Sequence, residues 1–200
     1  MKLEKEWKQR SHSIKSLLYH LYKQKPDRVL DLGCGNGWMS FQMARSGAKV
    51  TGLDLNMEEL NQADQLFGEK VEFIYGDITQ ELDIGKYDLI VISAALQYFS
   101  TPTDLFEKLF SQYLNPNGSV MVMDSPFYLP KEIAGAKQRS NEYYNRLGVP
   151  EMANFYHHHT RDSLLKYKVS TLYRQSTIFK ALSRLGFVYS SFPVYLINKQ

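Results

Sequence analysis

The sequence of 200 residues has one cysteine, no long apolar run and no concentrated run of lysine and arginine. Because Cys34 stands alone, no intrachain disulfide can form, which is typical of a protein kept in a reducing compartment. No segment approaches the roughly 20 consecutive apolar residues of a transmembrane helix. Residues 1–8 carry charges where a secretory signal would need an apolar stretch. From these absences we expect a cytoplasmic protein with no membrane partner.

The composition is ordinary, but the charges are distributed unevenly along the chain. Hydrophobic residues make up 44% and charged residues 22%, which favours one globular domain over residues 1–200. The net charge is +5 over residues 1–28, −9 over residues 29–127 and +7 over residues 128–200. Two interpretations stay open at this stage. The basic flanks either only attract the acidic middle, or they cover an active site and draw in an anionic molecule.

A short apolar strand runs directly into a turn with glycine at every second position, Val29-Leu-Asp-Leu-Gly-Cys-Gly-Asn-Gly-Trp38. The glycines lack a Cβ, so the backbone can adopt a positive φ and a ligand can pack against bare peptide. Asp31 in the strand is well placed to receive a cation. A dinucleotide-binding loop would read G-x-G-x-x-G, whereas here a tryptophan takes the place of the third glycine. The loop therefore favours a nucleoside-like cofactor over a nicotinamide, with a tight turn that binds nothing as the alternative.

Three further strand-like segments follow the loop: Lys49 to Asp54, Val71 to Asp77 and Tyr87 to Ser93. Asp54 comes about 20 residues after the glycines, where an acid can bind two ribose hydroxyls. Taken alone, Asp54 or Asp77 is equally well explained as a helix N-cap or a solvated turn. The ordered series carries more weight than any one of its members.

With its acidic, alternating-glycine loop, this series resembles the class I S-adenosylmethionine-dependent methyltransferases over residues 29–99. The resemblance implies an α/β fold, a doubly wound, mostly parallel seven-stranded sheet with helices on both faces and an antiparallel last strand. It also implies S-adenosyl-L-methionine as cofactor, S-adenosyl-L-homocysteine as product, and no metal.

The resemblance also assigns roles around the cofactor. Asp54 is expected to pair with the ribose, Leu55 to pack on the adenine face, and Asp77 with Ile78 to read the adenine edge. Ser93 ends the strand beneath the methionine part. The remaining contacts are expected from the glycine loop and its strand, at Asp31, Gly33, Cys34, Gly35 and Gly37. Cys34 is interpreted there as small filler rather than as a nucleophile.

Hydrophobic periodicity and turn residues divide the chain into four parts. These are an N-terminal lid helix (1–25), a cofactor-binding core (26–125), a substrate-cap insertion (126–173) and a last helix with a terminal hairpin (174–200). Helices are predicted over residues 4–22, 37–46, 57–67, 101–114, 131–147 and 176–185. The last three strands are predicted over residues 119–124, 187–192 and 194–198.

The acceptor side is expected from the cap and from the turn after the fourth strand. A base is needed only when the attacking atom must first lose a proton, and the candidates are His157, His159 and Tyr144. In an extended segment His157 and His159 share one face; the alternative is a polar loop with one histidine bonded to backbone. Acceptor contacts are predicted at Gln97, Tyr98 and Tyr156, with core packing as the alternative for Tyr98.

Missing motifs narrow the reaction. The tetrapeptide Asn/Asp-Pro-Pro-Tyr/Phe, typical of relatives that methylate exocyclic nitrogens of bases, is replaced here by Ser93-Ala-Ala-Leu96. A cysteine nucleophile after the fourth strand is also absent. We therefore expect in-line methyl transfer to oxygen or nitrogen of a small, anionic molecule, by a monomer or homodimer. The alternatives are an RNA or tRNA methyltransferase and a non-catalytic, cofactor-binding regulatory subunit.

Overall fold

The computed structural model describes residues 2–173 and 192–200, with side chains from residue 13 onward. Seven strands of this part form one sheet: β1 (Arg28–Leu32), β2 (Lys49–Asp54), β3 (Val71–Tyr75), β4 (Tyr87–Ser93), β5 (Leu114–Met123), β8 (Lys168–Tyr173) and β9 (Val194–Asn198). Two short strands, β6 (Phe127–Tyr128) and β7 (His159–Thr160), pair with each other separately. The order in the sheet is β3-β2-β1-β4-β5-β9-β8.

The direction of the strands confirms the expected fold class. Strands β1 to β5 are parallel, and β9 is antiparallel to both of its neighbours, β5 and β8. The last strand in the chain is thus the antiparallel one, as the resemblance implied. From β1 the chain adds β2 and then β3 on one side, and from β4 it adds β5 on the other side. The order of the strands therefore reverses between the neighbours β1 and β4. Ligands of open α/β sheets bind at the carboxyl ends of strands at such a switch point.

One boundary of the predicted organisation is wrong. The outer neighbour of β9 is β8, Lys168–Tyr173, a segment that was predicted to belong to the cap insertion. β8 has only one neighbour among the described strands, and most of its residues are exposed. It therefore lacks the continuous apolar run that marks strands covered on both faces. The predicted helix over 176–185 and strand over 187–192 lie outside the described residues, apart from Phe192.

Helices cover both faces of the sheet, as predicted. They are α1 (Lys2–Gln24), α2 (Trp38–Ala44), α3 (Met57–Phe67), α4 (Pro102–Lys108) and α5 (Ile133–Leu147). Along β4, successive side chains enter opposite cores, because a strand points alternate residues to opposite faces. Leu89 and Val91 join the core that contains Leu17 and Leu21 of α1, while Ile90 and Ile92 join the core that contains Phe106 of α4.

The N-terminal helix is therefore not a lid over its whole length. Leu17 is fully buried and Leu21 is 3% exposed, so the second half of α1 is part of the hydrophobic core. At Ser13 the helix has reached the carboxyl edge of the sheet, where its hydroxyl donates to Asp124 Oδ1 at 2.6 Å. Only the turns that precede Ser13 remain for the predicted covering role. None of the described helices is both long enough and apolar enough to cross a membrane.

Candidate active site

The glycine loop between β1 and α2 is fixed to the end of β2. The backbone N–H of Gly33 donates to the carbonyl of Leu53 at 2.8 Å, and that of Gly35 donates to Asp54 Oδ2 at 2.7 Å. Gly33 and Gly35 adopt φ values of 77° and 51°, which side chains rarely tolerate. A Cβ on Gly33 would lie 2.5 Å from the Cβ of Ala95, and one on Gly35 would lie 2.6 Å from Glu59 Oε2. The loop thus needs glycine for its backbone and for the space in front of it.

In front of this loop lies a groove of about 570 Å³, here called the glycine-loop groove. Its wall joins the loop to the ends of β2 and β4 and to the segment after β3. The lining residues are Leu32, Gly33, Gly35, Leu53, Asp54, Leu55, Asn56, Glu59, Gly76, Asp77, Ile78, Ala94, Ala95, Tyr98, Phe99 and Met152. Seven of the residues predicted from the sequence are therefore brought to one hollow: Gly33, Gly35, Asp54, Leu55, Asp77, Ile78 and Tyr98.

Two acids predicted at strand ends face this groove but also serve the local backbone. Asp54 accepts the N–H of Gly35 with one oxygen and that of Asn56 with the other, at 2.9 Å. Asp77 Oδ1 accepts both the N–H and the hydroxyl of Thr79. Both acids therefore stabilise a local turn, as the alternative interpretation predicted, and both also line the groove. Leu55 is 59% exposed, so the groove has an apolar side chain on its surface.

Four predicted cofactor residues lie behind the groove instead of lining it. Asp31 is buried and accepts the Ser40 hydroxyl at 2.6 Å. Burial raises the pKa of Asp31 to about 6, against the lowering effect of Ser40, and the charge of Asp54 raises it further. Ser93 donates to Asp124 Oδ2 at 3.4 Å. Neither Asp31 nor Ser93 lines the groove.

The other two, Cys34 and Gly37, fill space beneath the loop. Burial, followed by the nearby acids, raises the pKa of the Cys34 thiol, which is the opposite of what a nucleophile needs. A Cβ on Gly52 would lie 2.9 Å from its Sγ, so the thiol occupies the place that β2 leaves open. A Cβ on Gly37 would lie 2.6 Å from Phe73, a packing contact. The interpretation of Cys34 as filler agrees with this geometry.

Three of the predicted acceptor-side tyrosines form one aromatic cluster beside the groove. The hydroxyls of Tyr98 and Tyr144 are 3.5 Å apart, and the Tyr156 ring lies 6.2 Å from that of Tyr98 and 6.1 Å from that of Tyr144. Tyr98 is 49% exposed and lines the groove, whereas Tyr144 is buried. Burial raises the pKa of Tyr144, and it raises that of Tyr156 to about 12. Both are therefore neutral hydrogen-bonding groups at physiological pH rather than bases.

The histidine segment lies behind this cluster. The rings of His157 and His159 share a face, with centroids 6.4 Å apart, as an extended segment requires. His159 is buried, and its Nε2 lies 3.1 Å from the carbonyl oxygen of Leu96. Burial lowers the pKa of His159. This is the backbone-bonded histidine of the alternative interpretation, and neither His157 nor His159 lines the glycine-loop groove.

Gln97 does not face the groove, contrary to its predicted contact with the acceptor. It is buried, its Nε2 donates to the Ala94 carbonyl, and its Oε1 accepts the Ser125 hydroxyl at 3.1 Å. Its backbone carbonyl accepts the N–H of His157 at 2.7 Å. The side-chain amide therefore ties the turn after β4 to itself and to the segment after β5, while the backbone carbonyl joins this turn to the histidine segment.

Several groove residues were not predicted. Glu59 comes from the first turn of α3, where Asn56 caps the helix, and Met152 comes from a 3-10 helix in the cap. Ala94 and Asp124, which follow β4 and β5, have left-handed φ values of 51° and 53°. Such strain in residues other than glycine is concentrated at functional sites. Among the residues described, no group of three or more His, Cys, Asp or Glu side chains is arranged to hold a metal ion.

Comparison with known proteins supports one family. The family described as a methyltransferase domain matches residues 23–179. A malonyl-acyl-carrier-protein O-methyltransferase from Halalkalibacterium halodurans is 35% identical over 107 residues, which are 50% of this chain and 39% of that protein. A ubiquinone biosynthesis O-methyltransferase from Erwinia tasmaniensis is 32% identical over 99 residues, which are 46% of this chain and 40% of that protein. The chain thus spans about two fifths of these relatives.

Solved structures show the same fold. The magnesium protoporphyrin IX methyltransferase from Synechocystis PCC 6803 with bound S-adenosylhomocysteine has a TM-score of 0.62 at 18% identity, covering 94% of this chain and 82% of the other. The plantazolicin methyltransferase BpumL in complex with a pentazolic desmethylPZN analog and S-adenosylhomocysteine has a TM-score of 0.63 at 21% identity, covering 96% of this chain and 85% of the other.

Proposed function

The chain belongs to the class I S-adenosylmethionine-dependent methyltransferases, and on this premise we propose that it methylates an oxygen or nitrogen of a small, anionic molecule by in-line displacement. Oxygen is the favoured atom, because both curated relatives named above are O-methyltransferases. The proposed place of action is the cytoplasm.

The observation that carries the proposal is the form and charge of the glycine-loop groove. Gly33 and Gly35 leave bare peptide where a Cβ would collide with a neighbour. The groove is lined by Asp54, Glu59 and Asp77 and by no lysine, arginine or histidine of the described residues. S-adenosylmethionine carries a sulfonium and an ammonium group, so a hollow of negative charge and exposed backbone suits it.

We assign the donor contacts residue by residue as part of the proposal. Asp54 binds the ribose hydroxyls, Leu55 lies against one face of the adenine, and Asp77 with Ile78 reads its edge. The loop from Gly33 to Gly35 supports the methionine end. Asp31 acts from behind the loop through its charge, since it is buried and bonded to Ser40.

The chemistry asks little of the side chains. When bound, the sulfonium supplies an already activated methyl group, so the protein has to align the acceptor with it and exclude water. We propose that Tyr98, Tyr144 and Tyr156 form the wall against which the acceptor is aligned. Tyr98 is the member of this wall that lines the groove. The neutral phenols orient the acceptor by hydrogen bonding.

Two measurements test the proposal. Calorimetric titration should show saturable binding of S-adenosylhomocysteine and none of NADH. Incubation with donor labelled in its methyl group, together with a metabolite extract and, separately, bulk RNA, should label small molecules. Absence of S-adenosylhomocysteine binding would refute the assignment of the groove. Binding without transfer to either pool would point to a regulatory subunit, and label in RNA to the nucleic-acid alternative.

A further inference from the structure

A second hollow lies behind the tyrosine wall and is here called the histidine cleft. It has a volume of about 590 Å³ and lies between α5 and the segment 153–160. Its wall includes Lys137, Tyr156 and the three consecutive histidines His157, His158 and His159. No residue of this set lines the glycine-loop groove. The cleft is thus a separate hollow that the proposed donor contacts do not use.

The two hollows have opposite electrostatic character. The histidine cleft has Lys137 and three histidines on its wall and, among the described residues, no aspartate or glutamate. The glycine-loop groove has three acids and no base. Hydroxyl and amide groups at Ser100, Asn141 and Asn154 add hydrogen-bond donors to the cleft. A cleft with donors and positive charge but no carboxylate attracts anions and repels cations.

His158 lies on the wall of the cleft, and the polar atoms of its ring are not all used. Its Nε2 lies 2.9 Å from the Ser140 hydroxyl, whereas its Nδ1 is buried and has no hydrogen-bond partner among the described groups. A buried polar atom without a partner is costly, and such atoms in native proteins call for an explanation. Burial lowers the pKa of His158, against the nearby Ala136 backbone, which raises it, and the charges of Lys137 and Arg139 lower it further.

The rings of Tyr98 and Tyr156 separate the cleft from the groove. Tyr156 lines the cleft, Tyr98 lines the groove, and their centroids are 6.2 Å apart with the rings nearly perpendicular. Phe99 lines the groove and the next residue, Ser100, lines the cleft. The two hollows are therefore adjacent, with the Tyr98 and Tyr156 rings between them.

We propose that the histidine cleft holds a phosphate or carboxylate group of the acceptor through Lys137, His157 and His158, and that this anion is remote from the atom that is methylated. This inference rests on the proposed function and names its substrate class. The acceptor is an elongated molecule with an anionic group at one end and a hydroxyl or amine at the other. The protein binds the acceptor by this anionic group, and the tyrosine wall contacts the part of the molecule between its two ends.

Titration of the full chain with inorganic phosphate and with phenyl phosphate tests this site. The ring signals of the histidines are followed by NMR at saturating S-adenosylhomocysteine. We expect saturable shifts of the His157 and His158 signals, and tighter binding of phenyl phosphate because its ring lies against Tyr156. Lys137→Met should weaken phosphate binding about tenfold, since it removes a charge-assisted hydrogen bond. The matched control is Lys131→Met, a neighbouring lysine that does not line the cleft.

The outcomes separate the two proposals. If phosphate leaves both histidines unchanged, or Lys137→Met binds it as well as Lys131→Met does, the anion site is refuted. Phenyl phosphate should bind more tightly than phosphate, and Tyr156→Leu should remove this difference in affinity. If either expectation fails, the cleft does not hold the acceptor. The affinity of the unmodified chain for S-adenosylhomocysteine is measured separately by calorimetry, and the phosphate titration is repeated without it. If the unmodified chain does not bind S-adenosylhomocysteine, the donor groove is refuted, whereas the phosphate titration still tests the cleft.

Discussion

Replacing Asp31 with asparagine should make the protein progressively more stable, relative to the unmodified chain, as the pH rises from 4.5 to 7.5. The carboxyl is 1% exposed, and its one described hydrogen bond comes from Ser40. Burial raises its pKa from 3.8 to about 6, and the charge of Asp54 adds to the rise. The folded protein therefore holds a proton on Asp31 over a pH range in which the unfolded chain has released it.

The sign and size of the effect follow from this difference in bound protons. Where the folded state binds more protons, stability falls as the pH rises. The contribution of Asp31 is complete below the unfolded pKa and is lost as the pH rises through the folded pKa. A rise from 3.8 to about 6 corresponds to roughly 3 kcal/mol in all, of which about 2 kcal/mol falls between pH 4.5 and 7.5. The asparagine variant lacks this loss.

Urea unfolding of both proteins at pH 4.5, 6.0 and 7.5, without ligand, measures the difference. A constant penalty of about 1–3 kcal/mol for the asparagine amide left without an acceptor shifts all three points equally and does not affect the slope. Asp88→Asn is a control that should show no such slope, because the hydrogen bond from Asn115 lowers the pKa of Asp88 below 3.8 and this carboxyl therefore titrates below the measured range. A difference between Asp31→Asn and the unmodified chain that stays constant with pH would refute the reasoning.

Three further changes test other parts of the site. Asp54→Ala should weaken S-adenosylhomocysteine binding by roughly 1–3 kcal/mol in calorimetry, because two ribose hydroxyls lose their partner; equal affinity to the control Asp64→Ala would remove Asp54 from the site. Gly35→Val should abolish that binding while circular dichroism shows a folded chain, since its branched side chain would enter the groove; normal binding would mean that the loop is not the cradle. Deleting residues 1–12 should reduce methyl transfer more than donor binding in a labelled-donor assay, whereas deleting 1–24 should unfold the chain because it removes Leu17 from the core; equal loss of transfer and donor binding in the shorter deletion would place those turns in the donor pocket.

The position of the glycine-loop groove could be predicted from the sequence because its acids and glycines follow strand ends in order. In a parallel sheet the carboxyl ends of β1, β2 and β4 meet at one edge, so acids and glycines placed there converge without further information. The bounds of α3 were predicted as residues 57–67, which the structure has as Met57–Phe67. Its N-terminal Asn56 and C-terminal Gly68 are strong local signals. Local signals and sheet geometry pointed to the same answer in this half of the chain.

The acceptor side was less predictable because its contacts join distant segments through backbone atoms. From residue type, Gln97 was predicted to contact the acceptor and His159 to act as a base. Both side chains instead form hydrogen bonds with carbonyl or hydroxyl groups of the fold. No spacing rule in the sequence indicates which backbone carbonyl a side chain will meet. Met152 shows the reverse case, an apolar residue brought to the groove by a 3-10 helix. Strand β8 was not predicted, because an exposed edge strand carries little apolar signal.

The uneven charge of the sequence reappears in the two hollows. Three acids of the middle segment line the glycine-loop groove, whereas Lys137 and three histidines of the C-terminal segment line the cleft on the other side of Tyr98 and Tyr156. Such a field would orient the two molecules of the proposal, because a sulfonium donor is attracted to the acidic groove and an anionic group of the acceptor to the basic cleft.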